Sequence, residues 1–93
     1  MEFEWDPRKA TRNLRKHRVS FNEAAMVLND PLSITVPDPD RSTEERRYLT
    51  IGMSDRLRPL IVAHTERGNR VRIISARQLT SDEREAYEEE IRD

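Results

Sequence analysis

His64 and Glu66 stand two residues apart, and Arg67, Arg70, Arg72 and Arg77 follow closely. An imidazole titrates near neutrality, so His64 is a candidate general acid or base. Glu66 lies on the same side of an extended chain and can pair with it. Guanidinium groups bind phosphate through a planar two-point fork and offset charge that builds on a phosphorane. Together these residue types can act on a phosphodiester. Each also has a plain structural use. A histidine in an apolar strand can be an interior hydrogen-bonded residue, an arginine can stand in water, and Arg77 can cap a carboxylate. His17, between Lys16 and Arg18, reads as a helix C-terminal residue meeting the helix dipole.

The element that must position the first group is a β-hairpin. Leu60 to Thr65 is apolar and β-branched, as is Val71 to Ser75, and Gly68-Asn69 between them can supply a two-residue turn. With that loop, His64 falls opposite Ile73 and Glu66 opposite Val71. Strict alternation then puts Leu60, Val62, His64, Glu66, Val71, Ile73, Ser75 and Arg77 on one face. Ile61, Ala63, Thr65, Arg67, Arg70, Arg72, Ile74 and Ala76 take the other. The same register sets Arg67 against Arg70, an unfavourable like-charge pair. Both faces are apolar at one end and charged towards the turn, which suits a covered central hairpin with one wet, functional end.

The chain has 93 residues, 34% hydrophobic and 38% charged, with a net charge of −1. The length predicts one domain over residues 1–93, and the cancelling charges predict a folded one with a thin core. Charge is unevenly placed. Thr80 to Asp93 carries seven acids against two arginines, while Arg8 to Arg18 has six bases and no acid. A basic body with an acidic tail helix fits a polyanion site on the body. Without cysteine there is no disulfide, thiolate metal site or thiol nucleophile. Two distant histidines and scattered acids give no metal-ligand spacing; Asp38, Asp40, Glu44 and Glu45 read as a solvated loop rather than a cation site. No glycine-rich phosphate loop or nucleophile elbow occurs, so no cofactor is expected. No apolar run approaches a membrane span and the start is not a signal peptide, so a cytoplasmic location is expected. A metal-free hydrolase and a binding module both remain.

Along the chain, Glu2 to Trp5 alternates as a short strand. Asp6 caps a helix that Pro7 opens and that runs to about His17, with Trp5 able to staple onto Ala10. Ser20 and Glu23 make a capping box for a second helix, whose stripe is Phe21, Ala24, Ala25 and Leu28. Asn29-Asp30-Pro31 ends it. Leu32 to Val36 is a strand, Pro37 to Ser42 a loop, and Arg46 to Met53 a strand leading into the hairpin. Thr80 and Glu83 box a last helix to about Ile91, with Tyr87 and Ile91 as a thin apolar stripe. The expected fold is α+β, in the order β-α-α-β-β-β-β-α: an antiparallel sheet with an N-terminal helix pair and a C-terminal helix.

Several segments together resemble a known family. Phe3-Glu4-Trp5-Asp6, Lys9-Ala10, Asn13, Lys16-His17, Val19-Ser20-Phe21 and Glu23-Ala24-Ala25 are similar to the opening of BrnT toxins. So are Asp30-Pro31, Thr50 to Met53, His64 to Arg67, Arg72 to Arg77, Glu83-Arg84 and Tyr87-Glu88. The likeness spans nearly the whole chain in order. One departure is Arg18, where members often carry glycine after the helix.

The resemblance implies the toxin of a type II toxin–antitoxin pair, with a RelE/ParE-like fold and a ribonuclease activity that inhibits translation. It implies neutralisation by a BrnA-like ribbon-helix-helix antitoxin, in a heterotetramer, and operator DNA reached only through that antitoxin. On this reading the mechanism is metal-independent: the RNA 2′-hydroxyl attacks the adjacent phosphate. His64 or Glu66 would move the protons and Arg67 and Arg77 would stabilise charge. Lys9, Arg46, Arg70 and Arg72 would hold RNA phosphates. Two alternatives share the fold: a ParE-like gyrase poison, and a non-catalytic co-repressor subunit.

Overall fold

The structure, a computed structural model, describes residues 2–39 and 46–92. Asp40, Glu44, Glu45 and the rest of the expected acidic loop after Pro39 lie outside them. The elements are β1 (Glu2–Glu4), α1 (Pro7–His17), α2 (Phe21–Leu28), β2 (Ile34–Pro37), β3 (Arg47–Met53), β4 (Pro59–Arg67), β5 (Arg70–Gln78) and α3 (Ser81–Arg92). The strands form one sheet in the order β1-β5-β4-β3-β2.

The sheet is mixed, which corrects the antiparallel expectation. β1 runs parallel to β5, with Glu2 opposite Arg70 and Glu4 opposite Arg72. Parallel neighbours need a long crossover, and the chain between β1 and β5 provides it. Opposite charges favour this register: Arg72 Nη1 lies 2.9 Å from Glu4 Oε2 and Arg70 Nε 3.6 Å from Glu2 Oε2. These acids also offset the repulsion between Arg67 and Arg70, which do face each other across the turn. Of the two loop residues Gly68 takes the positive φ, 61°, at the position where a type II′ turn places glycine.

The hairpin register holds from the turn to His64, opposite Ile73, and then shifts. Ala63 pairs with Ser75, so Ile74 is an extra residue: a β-bulge. Past the bulge the faces of β5 exchange. Ala76, 1% exposed, enters the core in place of Ser75, and Arg77, opposite Ile61, moves to the face away from the core. The alternation expected for Ser75, Ala76 and Arg77 is therefore reversed.

α1 and α2 cover one face. Val19, Phe21, Ala24 and Val27 pack against Leu60, Val62, Ile73 and Ala76 to form the core. Trp5 meets Phe21 edge to face, centroids 5.9 Å apart. Asn13 is the buried polar hinge of this packing. Its side-chain amide donates to Ala76 O at 2.8 Å and accepts from Ala76 N at 3.1 Å, replacing a strand partner where β1 has ended. α1 then stops with Arg18 in the left-handed region, φ 60°, its N–H donating to Leu14 O.

Ser20 caps α2, accepting from Glu23 N at 3.0 Å. The Glu23 side chain does not return to close the box. It accepts two hydrogen bonds from Arg58, at 2.6 and 2.7 Å, and one from Ser54 Oγ at 2.7 Å. This interior clamp ties α2 to the β3–β4 turn. At α3 the box is reciprocal: Glu83 N donates to Thr80 Oγ1, and Thr80 N donates to Glu83 Oε1. Tyr87 is buried and Ile91 is 39% exposed.

Candidate active site

The residues singled out for chemistry divide between the two faces of the sheet. Alternation from Ala63 puts Thr65 and Arg67 on the face away from the helices, and the register places Arg70 and Arg72 beside them. The bulge brings Arg77 to the same face. The four hairpin arginines therefore share one side, joined by Arg47, which lies opposite Thr65 on β3. Arg46, just before β3, is exposed, and its carbonyl accepts from Thr65 Oγ1 at 2.7 Å. Lys9 is exposed on α1.

His64 and Glu66 project on the helix-covered side. Glu66 is exposed near the turn, but His64 is only 7% exposed. The expected gathering of the imidazole with the guanidinium groups at one wet end does not occur, because strand alternation sends them to opposite sides. His64 Nε2 is 2.7 Å from Thr50 Oγ1, which is 2.7 Å from Thr35 Oγ1 at the sheet edge. Tyr48 stacks on the ring. Nδ1 is buried with no hydrogen-bond partner among the described residues. Burial pushes the imidazole below its ordinary value of 6.5, against a weaker opposing pull from Glu66.

A cleft of about 360 Å³ opens on the arginine side. Leu49, Ile61 and Ala63 line it with Ser75 and Arg77, and His17 and Asp38 complete the lining from the end of α1 and the end of β2. His17 reaches this side because Asn13, one turn earlier, fastens α1 to the edge of β5. Asp38 is held by its N–H, which donates to Arg47 O at 2.9 Å. The Arg77 guanidinium grips Glu83 at two points, Nη1 to Oε1 at 2.8 Å and Nη2 to Oε2 at 3.0 Å. This hydrogen-bonded pair holds the Glu83 carboxyl down at about 2 and raises Arg77 further. A larger hollow, about 720 Å³, lies against the first turns of α1, among Asp6, Pro7, Arg8, Thr11 and Arg12.

The cleft thus offers an imidazole, a carboxylate and a guanidinium above an apolar floor. That set can take a proton and receive an anion. Sequence reasoning placed Arg77 among the site residues but read His17 as a helix-end residue and Asp38 as loop. Lys16-His17 within the family-like stretch was the available signal. No group of three or more His, Cys, Asp or Glu side chains among the described residues could hold a metal ion.

Fold and cleft define a class: a small α+β protein with a row of arginines on the sheet face away from its helices. The model of the family described as "Ribonuclease toxin, BrnT, of type II toxin-antitoxin system" matches residues 5–83. The chain belongs to that family. A crystal structure of the Brucella abortus ribonuclease toxin BrnT is similar to it, with a TM-score of 0.65 and 23% identity over 87% of this chain and 99% of that one. At that identity the likeness concerns the fold. A search of curated proteins finds no match. Type II membership implies an antitoxin partner, and among the described residues no helix is long and apolar enough to cross a membrane.

Proposed function

We propose that the protein is a metal-independent endoribonuclease toxin of RelE/ParE-like fold that cuts RNA in the cytoplasm and so inhibits translation. A BrnA-like ribbon-helix-helix antitoxin neutralises it, in a heterotetramer. The observation that carries this reading is the placement of Arg67, Arg70, Arg72 and Arg77 on one sheet face, with Arg77 at the cleft and the other three towards the hairpin turn. From Ile61, opposite Arg77, to Arg67 an extended strand covers about 20 Å, room for a few nucleotides laid along β4. Arg67, Arg70 and Arg72, with Arg46 and Lys9 farther out, hold backbone phosphates. Arg77 meets the phosphate at the cleft and offsets charge in the transition state. Glu66 stays within reach of solvent at the turn. His64 lies inside, bonded to Thr50 and stacked on Tyr48.

In the reaction the 2′-oxygen bonds to phosphorus and the bond to the 5′-oxygen breaks, leaving a 2′,3′-cyclic phosphate and a 5′-hydroxyl. Purified protein incubated with RNA in EDTA should produce those ends, and Arg77→Ala should suppress them. Intact RNA together with inhibited gyrase supercoiling would instead establish the ParE-like alternative.

A further inference from the structure

Breaking an RNA backbone through its own 2′-hydroxyl needs a group that removes the hydroxyl proton. The hairpin histidine lies across the sheet from the arginines. The cleft holds another imidazole, His17, the last residue of α1.

Its placement is fixed by the core. Asn13 Nδ2 donates to Val19 O at 2.9 Å as well as to Ala76 O, so one amide locks the end of α1 to the start of the next segment and to β5. β5 is also the strand that carries Arg77. The imidazole and the guanidinium therefore hang from one rigid frame, which also sets the distance between them. Such shared support is what holds reacting groups in register. His17 is half-buried, not sealed, and Asp38 shares the cleft with it. Of the two candidate bases there, the imidazole is the kind of group that most often serves as a general base.

We propose that His17 is the general base of RNA cleavage in this cleft; the assignment rests on the ribonuclease reading above. His17 takes the 2′-hydroxyl proton as the 2′-oxygen bonds to phosphorus. The bond from phosphorus to the 5′-oxygen breaks, and that oxygen takes a proton from water. The imidazolium returns its proton to solvent. Arg77 meets the phosphate oxygens from across the cleft.

The test measures cleavage of a short RNA in EDTA from pH 5 to 9 by wild type, His17→Gln and His17→Asn. Asp38 and Arg77 share the cleft with the imidazole, Lys16 and Arg18 flank it in the chain, and all are left intact. Both variants should lose about 10²–10⁴-fold in kcat with little change in KM. Both should also lose the fall in rate on the acid side of the profile. Binding to the same RNA with a 2′-deoxy group at the cleaved position, and the melting temperature, should stay at wild-type values. A variant that keeps both its kcat and its acid limb overturns the assignment while leaving the ribonuclease reading in place. Variants that lose 2′-deoxy RNA binding in step with activity overturn it too, since His17 would then serve binding. RNA left whole by every protein, wild type included, overturns the ribonuclease reading and this assignment with it.

Discussion

Arg77 and Glu83 meet where β5 gives way to α3, in a two-point ion pair with contacts of 2.8 and 3.0 Å. A carboxylate so placed occupies the fork that two phosphate oxygens would take. Glu83 also caps its helix through Thr80, so the first turn of α3 and an RNA phosphate compete for one guanidinium.

Relieving that competition should strengthen RNA binding. Glu83→Gln keeps an oxygen for the Thr80 N–H but removes the charge. Its affinity for 2′-deoxy RNA should rise by no more than about fivefold, the scale of a partly exposed ion pair, read by fluorescence anisotropy at low salt. The pair's pH dependence has a definite sign. The Glu83 carboxyl is lowered from 4.5 to about 2, so its contribution is complete above about pH 4.5 and is lost as pH falls through about 2. Both side chains are more than a third exposed, which keeps that contribution below about 1 kcal/mol.

Glu23 is a different case. Its side chain is 3% exposed and Arg58's 21%. Glu23→Ala removes the acceptor of two Arg58 bonds and of the Ser54 hydroxyl, and should cost about 3 kcal/mol, measured by urea unfolding. Hydrogen bonds from Arg58, then Ser54, hold the Glu23 carboxyl below its ordinary 4.5. Its contribution is therefore present above that value and disappears as the solution is acidified below it. Glu23→Gln should unfold with a shallower acid dependence than wild type.

His64 should add a loss of stability in the same direction, nearer neutrality. Its folded value lies below the ordinary 6.5 because of burial, so the unfolded chain binds the proton more readily. Stability should decline as pH drops below about 6.5 and keep declining until the folded imidazole itself titrates. His64→Gln should remove that part of the decline between pH 6.5 and 5. Glu66→Gln should steepen it, because the Glu66 charge raises the imidazole.

Arg18 holds a left-handed backbone at the end of α1, φ 60°. Its carbonyl accepts from Arg58 Nη2 at 2.7 Å, a bond any residue at that position can keep. Arg18→Gly should stabilise the protein by about 1 kcal/mol through relief of the Cβ clash. A thermal melt showing a fall in Tm would contradict this.

The local grammar of the chain is legible in its residues alone. Asp6, Ser20 and Thr80 cap their helices because short polar side chains bond the free N–H groups of a first turn, wherever that turn is packed. Gly68-Asn69 closes a two-residue hairpin because glycine accepts the positive φ the turn requires. From there the register as far as His64 follows by counting. The sequence also held the possibility that Arg77 caps a carboxylate. Three things were decided only by tertiary structure. β1 joined β5 in parallel, since pairing across the whole chain depends on where the helix crossover sets the first strand down. The bulge at Ile74 sent Ser75 and Arg77 to one side and Ala76 to the other. A strict alternation of small and polar residues fits either phase, and in the observed one Asn13 binds the Ala76 backbone. The third was the fate of the two histidines. His64 was buried beside Tyr48 and Thr50 of the neighbouring strand, and His17 was carried round the sheet edge into a cleft. A period of two fixes which neighbours share a face, but which face is covered depends on distant residues that spacing does not reveal.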